Sequence, residues 1–211
     1  MFTTALVVLA VGPVAASAQM PGVPVLQNAF ANAGFTGALN LASAGGSSSY
    51  GAAGAWSPTS ARFQFSAGAA IQVRSENTGA LYGVRVNVPV ATLGGGSIGV
   101  SAFGGIGGAP GAGDDSTKAR SMAPIGVTVG YRRTTGTRGI SVYGSPLYQI
   151  IGRGGGEWTG AFRGSLGLDI GFTRAIGVSL GVELGGKSPA GSAKPSGTSF
   201  GLAVSYALGR K

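Results

Sequence analysis

An all-β fold, an antiparallel up-and-down transmembrane β-barrel of about ten strands, is predicted by three features of this sequence. Beyond residue 34, apolar and small residues alternate with a period of two, which is typical of strands with two different faces. The links between the alternating segments are short at one end of the strands and mostly longer at the other. Finally, 44% of the residues are apolar and only 10% are charged, too few to cover an ordinary water-exposed surface.

The predicted strands follow one another along the whole chain from residue 35. Segment 162–172 is the clearest example, because Phe162, Leu166 and Phe172 fall on one face with the other even-numbered residues. The ten segments are 35–41, 50–56, 62–73, 81–91, 97–106, 125–132, 139–150, 162–172, 175–184 and 199–208. Pro146, which has no backbone N–H, predicts an edge-like position or a bulge in the seventh segment. Eight or twelve strands remain alternatives to ten.

The links divide into two groups according to the strand that precedes them. Tight links follow the even-numbered segments, at 57–60, 93–96, 134–137 and 173–174. Mostly longer, glycine-rich links follow the odd-numbered segments, at 45–49, 74–79, 107–121, 152–157 and 185–197. Short turns at one rim, longer loops at the other and an even strand number are typical of bacterial outer-membrane barrels.

The chain divides into three predicted regions. Residues 1–18 are predicted to be a cleaved signal peptide, since a short apolar run precedes an A-x-A site at Ala16 and Ala18. A short membrane-anchoring helix is the alternative for this region. Residues 19–33 form an N-terminal tail or a short plug, and residues 34–211 form the barrel.

The two faces of the strands indicate which side meets lipid. The apolar face carries several Phe, Val, Ile and Leu residues per strand, whereas the other face is mostly Gly, Ser and Ala with a few charges. Small residues suit the interior of a narrow barrel and make a poor water-exposed exterior. The alternative is a soluble, secreted or periplasmic barrel that binds a small apolar ligand and has the opposite orientation.

Alternation also predicts a polar network in the lumen. Its members are Arg62, Arg85, Arg132, Arg163, Asp169, Glu183, Gln64, Gln72 and Asn87. If residues 173–175 form the link, Glu183 lies opposite Ser165 and diagonal to Arg163; if residues 172–174 do, it lies opposite Arg163. An ion pair between Arg163 and Glu183 is therefore within reach in both registers. Asp169 requires an arginine from another strand or lumenal water.

Aromatic residues on the apolar face cluster at the ends of the strands, as interfacial girdles do. The predicted girdle consists of Trp56, Phe63, Tyr131, Phe172 and Tyr206 at the short-link end, and of Tyr82, Tyr148, Phe162 and Phe200 at the other. The lumenal charges have two interpretations: a gate or anion-favouring filter, or a structural network that neutralises buried charges.

The composition argues against several functions. The chain has no histidine and no cysteine, so it has no disulfides, the usual zinc ligands are missing and His-based catalysis is excluded. We therefore expect no enzyme, no metal and no cofactor. Asp114 and Asp115 are expected in a solvated loop, because two adjacent carboxylates are too few for calcium.

The expected partners follow from the charge pattern. Although the net charge is +9, the basic residues are scattered and lack interleaved aromatics, so nucleic acid is not an expected partner. We expect outer-membrane lipid, including lipopolysaccharide, as the partner and a monomer as the oligomeric state.

Over roughly residues 34–209 the chain resembles the small outer-membrane β-barrel proteins of bacteria, the OmpA/OmpX-like and opacity-porin-like superfamily. The resemblance is one of architecture, without a diagnostic motif. Many members end in an aromatic residue, whereas the nearest aromatic to the end of this chain is Tyr206. The resemblance implies location in the bacterial outer membrane and a structural, adhesive or passive small-solute permeation role.

Overall fold

Ten antiparallel strands close into a single barrel, as the alternation predicts. The structure, a computed structural model, describes residues 33–44, 47–60, 62–73, 78–109, 120–153, 157–185 and 198–208. The strands are β1 (Gly34–Ala44), β2 (Ser47–Ser57), β3 (Gln64–Val73), β4 (Thr78–Leu93), β5 (Ile98–Ala109), β6 (Arg120–Thr135), β7 (Arg138–Arg153), β8 (Glu157–Gly171), β9 (Ile176–Gly185) and β10 (Ser199–Leu208). The predicted signal peptide, the segment up to residue 32 and Asp114–Asp115 lie outside the described residues.

Each strand pairs with its neighbours in sequence, and β1 closes the barrel by pairing with β10. Closure pairs the backbone groups of every strand on both sides, which is the condition for a sheet surrounded by lipid. No helix among the described residues is long and apolar enough to span a bilayer.

The two rims differ less in link length than the sequence predicts. We name the rim where β1 begins and β10 ends the terminal rim; its links are 58–63, 94–97, 136–137 and 172–175. At the opposite rim only the links 110–119 and 186–198 are long, because β2 already begins at Ser47 and β7 and β8 extend to Arg153 and Glu157. Glycine- and serine-rich strand ends carry no apolar pattern, so alternation underestimates strand length there.

The link between β8 and β9 shows how a side chain sets strand register. The Thr173 hydroxyl oxygen accepts hydrogen bonds from the backbone N–H groups of Ala175 and Ile176, at 3.1 and 2.9 Å. This local turn makes Ile176 the first residue of β9 and places Ser165 opposite Glu183. Of the two registers that parity allows, the structure therefore has the one in which Glu183 lies opposite Ser165 and diagonal to Arg163.

The barrel has an apolar outside and a polar inside. Outward residues such as Leu39 and Phe162 are 71% and 77% exposed, whereas Gln149 and Glu183 in the interior are 0% and 1% exposed. On β7 the outward apolar row runs from Ile140 to Ile150. Ten steps of about 3.3 Å, tilted by about 40°, cover about 25 Å, the height of the apolar band of outer-membrane barrels.

All nine residues of the predicted aromatic girdle are exposed on the outer surface or in the links at its edge. Several outward aromatic rings lie over a glycine of the adjacent strand: Tyr82 covers Gly108, and Trp158 covers Gly152. A Cβ atom at Gly108 would lie 2.6 Å from Cζ of Tyr82, so a larger residue there would displace the ring. Such ring-over-glycine contacts pin neighbouring strands together and explain part of the glycine content.

Candidate functional site in the barrel interior

The structure brings most of the predicted polar residues together inside the barrel. Arg85, Arg163, Glu183, Gln72 and Asn87 are buried, and Arg132, Asp169 and Gln64 are half-buried. The placement of Arg62 in the lumen is corrected, because β3 begins only at Gln64 and Arg62 is exposed in the link at the terminal rim.

Arg163 and Glu183 form an ion pair between β8 and β9. Nε of Arg163 donates to Oε1 of Glu183, and the two side chains are 1% and 0% exposed. Gly185 lies opposite Arg163 and leaves room for the guanidinium, since a Cβ atom there would lie 2.7 Å from Nη1. The pair neutralises two charges that would each be strongly destabilising if buried alone.

Arg85 forms a second cluster on the other side of the interior, on β4. Its Nε donates to Oδ1 of Asn87 at 2.6 Å, and its guanidinium carbon lies 3.6 Å from the centre of the Phe103 ring. The ring has space because Gly126 is its cross-strand neighbour on β6. This cation–π contact gives the arginine a second partner beside the amide of Asn87.

Asp169 contacts a tyrosine that the sequence did not lead us to expect as a partner. The hydroxyl of Tyr143 donates to Oδ1 of Asp169 at 3.4 Å, and the Tyr143 ring lies over Gly167. Tyr143 is 2% exposed and stands in a row of cross-strand neighbours in which Gly130 and Gly181 provide no side chain.

A row of hydroxyl groups leads towards the ion pair. Thr128 and Ser145 share a hydrogen bond of 2.8 Å, Ser145 is opposite Ser165, and Ser165 is opposite Glu183. Thr128 and Ser145 are almost completely buried. Together with the clusters of Arg85 and Tyr143, this row lines the interior with polar groups.

Sequence reasoning missed the two interior aromatics, Phe103 and Tyr143. Both have the inward parity of their strands: Phe103 is in phase with Ser101, and Tyr143 with Ser145. Strict alternation would therefore have placed both rings inside.

The arrangement provides no recognisable reaction centre among the described residues. The two carboxylates whose side chains are described, Asp169 and Glu183, contact Tyr143 and Arg163. No group of three or more potential metal ligands occurs in the described part of the chain. The interior is suited to filling and stabilising a barrel.

The closed antiparallel sheet, its apolar exterior and its polar interior define this protein as a transmembrane β-barrel. No protein-family model matches the sequence, and no curated protein matches it.

Two solved structures show the extent of structural similarity. OmpT (in-vitro folded), an outer membrane protein of Vibrio cholerae, is 11% identical with a TM-score of 0.36; the match covers 76% of this chain and 55% of that chain, about half of its length. An active-site mutant of outer membrane phospholipase A from Escherichia coli is 11% identical with a TM-score of 0.33; the match covers 84% of this chain and 91% of that one. Both TM-scores are low, so these similarities do not assign the class of protein. That class rests on the strand pairing, the apolar outer surface and the polar interior.

Proposed function

We propose that this protein is an integral barrel of the bacterial outer membrane with an occluded lumen, and that its role is structural, not enzymatic. The observation that carries the proposal is the burial of the interior side chains. Arg85, Phe103, Tyr143, Gln149 and Arg163 are all at most 5% exposed, which leaves no wide water path beside them. An open channel would leave lumenal side chains hydrated, as in porins.

The outer surface supports the membrane location. A barrel in water would need polar groups where this one exposes Leu, Val, Ile and Phe, and a ligand cavity for a small apolar molecule would need an apolar interior. The soluble-barrel alternative is therefore not favoured. The barrel has ten strands, whereas OmpA/OmpX-type barrels have about eight, so we propose no closer relationship to that superfamily than shared architecture.

Washing membranes with alkaline carbonate tests the location. We expect the protein to stay with the membrane and to require detergent for release. Release into buffer without detergent would contradict the membrane proposal.

Planar-bilayer recording tests the occluded lumen. The native barrel should insert without steady conductance, whereas a variant with Arg85, Phe103 and Tyr143 all replaced by glycine should conduct, because these side chains fill the interior. Replacement of the outward Tyr82 by glycine is the control, and this variant should show no steady conductance. Steady conductance from the native barrel would contradict occlusion, and heat-modifiable migration on gels verifies that each variant is folded.

The absence of enzymatic activity is tested on the same material. Reconstituted native protein should hydrolyse neither phospholipid nor peptide substrates above the rate of protein-free vesicles. The support for this proposal is the absence of histidine and cysteine from the sequence.

A further inference from the structure

Among the described residues, positive charge is concentrated at the terminal rim. Its described basic residues are Arg62, Arg132, Arg133, Arg138 and Arg174. The two carboxylates whose side chains are described, Asp169 and Glu183, face the interior. Four of the five arginines are exposed, and Arg132 is half-buried. Exposed arginines without described carboxylates among them create a positive potential that attracts anions.

The hairpin of β6 and β7 carries two of these arginines beyond its neighbours. Pairing with β5 ends at Tyr131, and pairing with β8 ends at Gly139, whereas β6 and β7 remain paired as far as Thr135 and Arg138. Gly136, with a φ of +62°, starts the tight turn that closes this extension. The tip of the hairpin is therefore a two-stranded projection from the terminal rim.

Arg133 and Arg138 lie on the outward face of this projection. Arg133 continues the outward row of Tyr131, its direct cross-strand neighbour is Ile140, and Arg138 is its diagonal neighbour. Diagonal side chains on one face of a sheet are about 7–8 Å apart, so one anionic group can contact both guanidinium groups. Both arginines are exposed, and adjacent like charges repel unless an anion lies between them.

The position of the pair indicates what that anion is. Tyr131 and Ile140, both exposed on the outer surface, mark the edge of the apolar band immediately below the arginines. Tyrosine rings favour the membrane–water interface, and the next outward residue along the strand reaches the level of the lipid phosphates. Arginine binds phosphate with two parallel hydrogen bonds.

We propose that Arg133 and Arg138 form a binding site for the headgroup of an anionic phospholipid in the leaflet around the terminal rim. The proposal rests on the membrane location argued above. An arginine near an anionic leaflet contributes roughly a fivefold preference for anionic over zwitterionic lipid. The two arginines together should give a preference of about tenfold or more.

A tryptophan placed beside the site tests the proposal in the full-length barrel. The chain has two tryptophans, so Trp56→Phe and Trp158→Phe remove the native fluorescence, and Tyr131→Trp introduces a single reporter. The barrel is reconstituted in phosphatidylcholine vesicles that contain either brominated phosphatidylglycerol or brominated phosphatidylcholine. Quenching by each lipid gives the relative binding constant at the reporter, and Val129→Trp provides a second reporter should Tyr131→Trp not fold.

Charge-matched variants separate a paired site from diffuse attraction. The variant Arg133→Gln with Arg138→Gln should abolish the preference for phosphatidylglycerol. The control, Arg62→Gln with Arg174→Gln, removes the same amount of charge from the same rim and should keep at least half of that preference. High salt should weaken the preference of the unmodified site.

The outcomes distinguish this inference from the membrane proposal. If neither brominated lipid quenches the reporter, the membrane location itself is wrong. If both lipids quench equally, or if the control variant loses as much preference as the paired variant, the barrel is in the membrane and the Arg133–Arg138 site is refuted.

Discussion

Removing the negative partner of the buried ion pair, by Glu183→Gln, should strongly destabilise the barrel. The replacement has almost the same shape, so no cavity forms, but Arg163 keeps its charge while its side chain is only 1% exposed. Breaking a buried pair from one side costs about 3–5 kcal/mol. We expect the lower end, about 3 kcal/mol, because Ser165 lies opposite Glu183 and offers a hydroxyl group nearby.

The double variant gives the sharper test. In Arg163→Met with Glu183→Gln both charges are gone, and paired replacement of buried ions by uncharged groups is often close to neutral. We therefore expect the double variant to lie within about 1 kcal/mol of the native barrel. Since each single replacement breaks the pair and should cost about 3 kcal/mol, the coupling energy between the two positions should be about 5 kcal/mol.

Reversible urea unfolding from lipid vesicles, followed by tryptophan fluorescence, measures these free energies. The control cycle combines Glu183→Gln with Arg85→Met, since Arg85 contacts Asn87 and Phe103 on the other side of the interior. That cycle should be additive within about 0.5 kcal/mol. If the cycle of Arg163 and Glu183 is additive as well, the pair makes no specific contribution and the reasoning from burial is refuted.

Two further substitutions test the packing and the outer surface, with the same unfolding assay. Gly167→Val should lower the free energy of unfolding by about 1–3 kcal/mol, because the Tyr143 ring occupies the space of the new side chain. Gly164→Val is the control and should have little effect, since no atom lies within 4 Å of its Cβ position. Equal effects of the two substitutions would contradict the ring-over-glycine contact. Leu180→Arg, at the middle of the outward row of β9, should lower the free energy of unfolding by about 2–4 kcal/mol. Ile176→Arg, near the rim, should lower it by only about 0–1 kcal/mol. Unchanged stability of the Leu180→Arg barrel would show that this surface does not meet lipid.

Much of the fold is predictable from the sequence because the pleat imposes a strict period of two. Alternation predicts about ten strands, with eight or twelve as alternatives, and the outward row from Phe162; parity restricts the register of β8 and β9 to two choices. The choice between them depends on the Thr173 hydroxyl, a local turn that alternation does not represent. The bulge between Pro89 and Ala91 shifts the register of β4 against β5. Alternation along one strand does not predict it, because the bulge is also a local change of backbone geometry.

The interior was predictable in composition but not in its contacts. Alternation placed Arg163 and Glu183 on one face, and a single turn brings them together, so their pairing is a short-range consequence of register. The contacts of Arg85 with Phe103 and of Asp169 with Tyr143 require knowledge of which side chain bends over which glycine. That depends on barrel curvature, which no pattern along one strand contains.

The interior is built from two unlike walls, and this explains how so glycine-rich a barrel is filled. Among the described residues, the large apolar and aromatic interior side chains come from β4 to β7, and they are Leu81, Phe103, Met122, Tyr143, Leu147 and Ile151. The facing wall, β9 to β3 through β10 and β1, contributes mainly Gly, Ala and Ser, with Ala38, Ala55 and Ala203 almost fully buried. Large side chains on one wall and small residues on the other are both buried, so the interior is filled without large residues on every strand. Occlusion therefore depends on few side chains, which is why removing three of them should be enough to open the barrel.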